Sequence, residues 1–118
     1  MDERKKNMMK AYLTHQQQAC AAQQAALRQE GRADEAVFQQ IRLNVFQLSS
    51  AVLDAAGKQP EGEGFFRQRM EQIPANWHTA REKALQHGNE IQAHLESIKL
   101  EAAEEIRSAF DKIWSDQA

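Results

Sequence analysis

At 118 residues the chain has room for one domain with a single core, and not for two. Hydrophobic residues at 42% and charged residues at 27% exclude a disordered chain, and a net charge of −2 leaves no overall basic field to attract a phosphate backbone. The lone cysteine, Cys20, excludes an intramolecular disulfide framework.

Only five glycines and two prolines interrupt a sequence rich in alanine and glutamine, which lose little side-chain freedom in a helix. The chain therefore reads as all-α, one helical-bundle domain over residues 1–118. Its first ten residues are polar and lack the apolar stretch of a signal peptide, so none is expected. No apolar run approaches the ~20 residues that span a bilayer. The terminal Asp116-Gln117-Ala118 is no lipidation signal. A cytoplasmic protein that does not engage a membrane is the expectation.

The first helix is predicted from about Asp2 to Glu30. Met8, Met9, Tyr12, Ala19, Ala26 and Leu27 share one face, with Gln16 and Gln23 near its centre. Arg4, Lys5, Lys6 and Lys10 cluster at its start beside Asp2 and Glu3, which is the pattern of a solvated helix end rather than a nucleic-acid site. Cys20 lies on the packing side as a small apolar residue. His15 at i−5 is badly placed to activate it, so no catalytic thiol is expected. Gly31 supplies a left-handed stop and Asp34 an N-cap for the next helix, making the first two helices an antiparallel hairpin.

The second helix is predicted from about Ala33 to Ala56. Phe38, Ile41, Val45, Leu48, Val52 and Ala55 alternate three- and four-residue steps, the spacing of a heptad seam and the strongest core signal in the chain. Leu43, Phe46 and Leu53 fall outside that seam. The stretch from Gly57 to Gly64, with three glycines and one proline, reads as a connection. Phe65, Phe66, Met70 and Ile73 then suggest a short additional helix, with Pro74 as the first residue of the next one.

The last helix is predicted from about Ala75 to Trp114. Trp77, Ala80, Ala84, Ile91, Leu95, Ile98, Ala102, Ile106, Ala109 and Ile113 keep one phase, which favours continuity through Gly88-Asn89. Such a helix would be ~60 Å long against ~35–45 Å for the first two, so it must overhang, bend or break at Gly88. The expected fold is a three-helix, mainly antiparallel bundle with a short extra helix before a long C-terminal one.

Little in the chain carries chemistry. His87, Glu90 and His94 would line one side of a continuous helix, the one arrangement with metal-ligand character. The paired Glu-x-x-His motifs of di-metal bundles and the His-Glu-x-x-His spacing of zinc proteases are both absent. The expectation is no cofactor, no metal and no enzymatic activity. Phe46, Leu53, Leu100, Phe110 and Trp114, which fall away from the predicted seams, are the candidate interface residues for a protein partner or a homodimer. A metal- or small-ligand-binding bundle is the alternative.

Glu30-Gly31-Arg32, Asp34-Glu35-Ala36, Phe38, Ile41 and Asn44-Val45-Phe46, with the later Phe66, Ile73-Pro74 and Trp77, resemble segments of small, uncharacterised all-helical bacterial proteins of unknown function. That resemblance covers most of the chain and implies a helical bundle, but no activity, because the shared residues belong to turns and core.

Overall fold

The computed structural model describes residues 1–115; Asp116-Gln117-Ala118, read above for lipidation, lie outside the described residues. Among the described residues there are four helices and no strand: α1 (Glu3–Gln29), α2 (Ala33–Ala56), α3 (Gly62–Gln86) and α4 (Glu90–Ser115). The all-α reading holds. The count of three, the short extra helix and the long last helix do not.

The correction centres on two positions. Gly88 has φ +70° and ends α3 as Gly31, with φ +75°, ends α1. In each turn the next backbone N–H reaches back to close the helix: Arg32 N donates to Leu27 O at 2.9 Å and Asn89 N to Ala84 O at 2.8 Å. Asn89 then caps α4, its Oδ1 accepting from Gln92 N at 3.1 Å. Pro74, expected to open a helix, instead lies buried inside α3. Phe66, Met70, Pro74 and Ala84 keep one buried face across it, and that shared burial outweighs the one backbone hydrogen bond a proline cannot make. Asp34 is likewise the second residue of α2, in its first turn, rather than its cap, which falls on Arg32 without a side-chain bond.

Named contacts give the helix directions. Lys10 pairs with Asp54, and Gln17 Nε2 donates to Ser50 Oγ at 2.8 Å, so α1 and α2 are antiparallel. Phe66 stacks on Phe110 while Arg81 Nε donates to Ser97 Oγ at 2.8 Å, so α3 and α4 are too. Lys5 Nζ donates to the Trp114 carbonyl at 3.2 Å, tying the start of α1 to the end of α4. His94 meets Phe38 edge-on at 4.9 Å, placing the starts of α2 and α4 side by side. α2 and α4 each touch the other three helices, whereas α1 and α3 do not meet among the described residues. The molecule measures 44 × 35 × 23 Å.

The continuous core sits toward the end that holds Met1, the α2–α3 connection and Trp114. Met9, Leu13, Phe46, Leu53, Phe66, Met70, Ile106 and Phe110 interlock there, with Trp114 at its edge. Gly62 is needed at this end, because a Cβ on it would lie 2.5 Å from the Ala56 carbonyl oxygen. Toward the opposite end, Leu27, Ala36, Ala84 and Ala93 are buried but lie outside that cluster, and side-chain amides take over. Gln24 Nε2 donates to Gln40 Oε1 at 2.8 Å, and Gln40 Nε2 to Asn44 Oδ1 at 2.9 Å.

Candidate functional site

The second helix carries the surface of interest, and its orientation explains how that surface arises. Phe46, Ser49, Leu53 and Ala56 are its buried line, at helical spacings of three and four. Ser49 Oγ donates to Val45 O at 2.9 Å and lies 3.8 Å from Met70 Sδ, while Phe46 takes the edge of Tyr12. The expected seam is displaced by about one residue from this line. Of its six members only Val45 is buried; Phe38, Ile41, Val52 and Ala55 are half-buried, and Leu48 is 38% exposed.

On the side of α2 away from the core, Val37, Ile41, Asn44, Leu48, Ala51 and Ala55 follow steps of 4-3-4-3-4 residues. Val37 is 47% exposed, Asn44 and Ala51 are exposed, and Ile41 and Ala55 are half-buried. The strip runs for ~27 Å at ~1.5 Å per residue without a single charge. Between Ala36 and Ala56 the helix carries only Arg42 and Asp54. Arg42 turns inward, over the Phe46 ring and onto Glu105 at 3.0 Å, and Asp54 is taken by Lys10 on the α1 side. Gln40 and Gln47 border the strip on that same side. An uncovered helix face of this length is ordinarily studded with lysine and glutamate; depletion of charge with retention of apolar residues is the composition of an interface centre.

The residues selected from sequence as interface candidates occupy other places. Phe46, Leu53, Phe110 and Trp114 are buried in the core, and Leu100 is half-buried. They fell outside the predicted seams because a single stripe presumes one neighbour. α2 and α4 each pack against three helices, so a wider arc of each is covered. Phe110 lies parallel to Phe66 at 4.4 Å and to Trp114 at 4.1 Å, forming one internal aromatic stack.

The histidine set is divided by the turn at Gly88. His87 caps α3, its Nδ1 2.8 Å from the Lys83 carbonyl oxygen; Glu90 opens α4; and His94 lies against Phe38. Among the described residues no three His, Cys, Asp or Glu side chains are grouped to hold a metal ion. Cys20 is buried and unpaired in the core. The basic start of α1 is dispersed, with Lys5 on the Trp114 carbonyl and Lys10 on Asp54.

Two of the clefts lie between helices. One of about 330 Å³ between α3 and α4 has Phe66, Met70 and Phe110 as its floor, and its arginines are already engaged, Arg67 by Asp111 and Arg107 by Glu104. The hydrogen bond that Arg67 donates to Asp111 raises the Arg67 pKa above its ordinary value, against the opposing effect of burial. The other, a shallow groove of about 560 Å³ between α1 and α4, is lined by Tyr12, Ala109 and Ile113. Burial, then the Glu105 carboxylate, raise the Tyr12 phenol above its usual 10.0, and Arg42 opposes them.

One buried charge stands apart. Glu96 is 4% exposed; its Oε1 accepts from Gln92 Nε2 at 2.9 Å and from Lys99 Nζ at 3.1 Å, and its Oε2 has no partner among the described residues. Lys99 in turn lies 5.9 Å from the Trp77 ring centroid. Neither cleft contains this carboxylate.

Among the described residues no helix is long and apolar enough to cross a membrane. Set against protein-family models, curated proteins and solved structures, the chain finds no match in any of the three. A functional reading therefore rests on the molecule's own geometry.

Proposed function

We propose that the protein is a non-enzymatic helical module that works by binding protein through the uncharged strip of α2. The observation that supports this is the displacement between the heptad seam and the core: Ile41, Leu48 and Ala55 of that seam lie on the uncharged strip, a face that the fold leaves partly open. A strip of alternating three- and four-residue steps suits one occupant well, another helix laid along it. Several charges elsewhere on the surface are matched within the chain, and the other exposed large apolar side chains, Met8, Leu85 and Ile91, are not part of a continuous uncharged line. Arg67, Arg107, Arg32 and Lys10 each face a carboxylate of the same chain, whereas the strip has nothing across from it.

The test is a photoreactive amino acid placed at Leu48 and, separately, at Glu101, which is exposed on α4. In cells that make the protein, irradiation is expected to give a discrete protein adduct from position 48 and none from position 101. Equal labelling at both positions, or none at either, contradicts the reading.

A further inference from the structure

We infer that the occupant of the α2 strip is a second copy of this chain, docked antiparallel with the twofold axis passing through Asn44. This rests on reading the strip as a protein-binding face and names its partner.

The support is self-complementarity. A twofold interface sets each residue against the one equally far on the other side of the axis. Counting from residue 44, Val37 comes opposite Ala51 of the second copy, and Ile41 falls within one residue of its Leu48. A branched side chain thus meets a small one on each side of the axis, and two larger apolar side chains meet nearer the centre. In an antiparallel pair the same edge of each helix meets itself. The glutamine edge therefore closes with Gln40 of one copy against Gln47 of the other, amide to amide. No like charges are brought together, because the strip has none.

Asn44 is the strip's single polar member, and with Ala33, exposed on the same line one step before Val37, the strip is centred on it, Ala33 of one copy coming opposite Ala55 of the other. The Asn44 Oδ1 accepts from Gln40, and its Nδ2 is directed to no partner among the described residues. On the axis, that amide meets its own equivalent. A lone asparagine in an otherwise apolar helix seam sets register and orientation at some cost in affinity. A strip ~27 Å long and one helix wide is also smaller than the ~800 Å² per partner of a standard interface. The dimer is accordingly weak and exchanging, populated at high local concentration.

Cysteine cross-linking tests the geometry, in a Cys20→Ala background so that the native thiol takes no part. With the axis at residue 44, the two copies of residue 51 lie 14 residues apart along the pair, ~21 Å at ~1.5 Å per residue. A disulfide needs Cα atoms within ~7 Å. Mild oxidation should link Asn44→Cys into a dimer at least tenfold faster than Ala51→Cys, and the Val37→Cys/Ala51→Cys double variant should link readily. Equal rates for Asn44→Cys and Ala51→Cys, as a parallel pair or random collision gives, overturn the inference.

Sedimentation of the unaltered chain guards against an effect of the substitution itself, with mass expected to rise between micromolar and millimolar protein. A wild type that stays monomeric throughout also overturns the second-copy inference. If the photoreactive residue at 48 then captures a different protein, the binding role of the strip survives and only its partner changes. If position 48 captures nothing, both readings fail together.

Discussion

Trp114 lies nearly parallel to Phe110, with ring centroids 4.1 Å apart and an angle of 16° between the planes. Two residues whose spacing on α4 suggested an outward face are in fact consecutive layers of an internal stack that continues to Phe66. Truncating the middle layer removes a buried ring and leaves a void on both sides. Phe110→Ala should cost about 3–5 kcal/mol in urea unfolding. It should leave the dimer geometry unchanged wherever the variant remains folded, since the stack lies in the core and the strip is on α2.

Gly88 supplies a test of topology whose sign decides it. A Cβ built on Gly88 meets nothing within 4 Å, so substitution there is a pure backbone effect. At φ +70°, alanine is strained, and Gly88→Ala should destabilise by about 1–2 kcal/mol. In an unbroken helix the same change would stabilise by about 1 kcal/mol. Thermal or urea melts of this variant distinguish a turn at residue 88 from a continuous helix.

The Glu96–Lys99 pair should behave unlike the exposed pairs. Lys99→Met strips a buried carboxylate of its countercharge, and should cost about 1–3 kcal/mol after allowing for the partial exposure of Lys99. Glu96→Leu, which removes the buried charge and its unpartnered oxygen together, should be near neutral or stabilising. Lys10→Ala, at a pair half-exposed on both sides, should cost less than about 1 kcal/mol. Chemical denaturation of the three variants side by side checks the order.

Alkaline pH should weaken the fold through Tyr12. Burial holds the phenol protonated above 10.0 in the folded chain, so the folded state keeps a proton that the unfolded state releases. The associated stability is full below pH 10 and is lost as the pH climbs through the raised folded value. Tyr12 is the chain's one tyrosine, so the absorbance of phenolate reports it alone. Its titration midpoint should lie above that of the urea-unfolded chain, and Tyr12→Phe should flatten the stability profile above pH 10.

The sequence carried the helical class and the first turn plainly. Gly31 and Gly88 play the same role, with matching left-handed dihedrals and matching back-bonds, yet only Gly31 stood out. Around Gly31 the apolar pattern lapses; across Gly88 it keeps phase. Phase continuity cannot separate a straight helix from a reversal in which both arms turn their apolar face to one core. Pro74 misled for the converse reason, because local chemistry that favours a helix start was overruled by the burial of Phe66 and Met70 on one side and Ala84 on the other.

The strip was legible only in part. The heptad steps of Phe38 to Ala55 were visible, and were read as core because apolar periodicity says that a face is buried without saying by what. A clearer signal was the scarcity of charge around the whole helix, with only Arg42 and Asp54 between Ala36 and Ala56. A helix covered on one side by its own bundle has no need of that scarcity on the other. That Val45 and Phe46 are both buried was beyond a single-stripe periodicity, because it depends on α2 packing against three helices at once.

The most direct measurement of the central claim is the sedimentation equilibrium mass of the wild type and of Leu48→Glu over rising concentration. Leu48 is exposed in the single chain, so the variant should unfold within about 0.5 kcal/mol of the wild type. The account predicts that the wild type moves from 13.5 kDa toward twice that mass, while Leu48→Glu stays at 13.5 kDa. A variant that associates as readily as the wild type would contradict it, since a carboxylate one step from Asn44 is incompatible with burying that face.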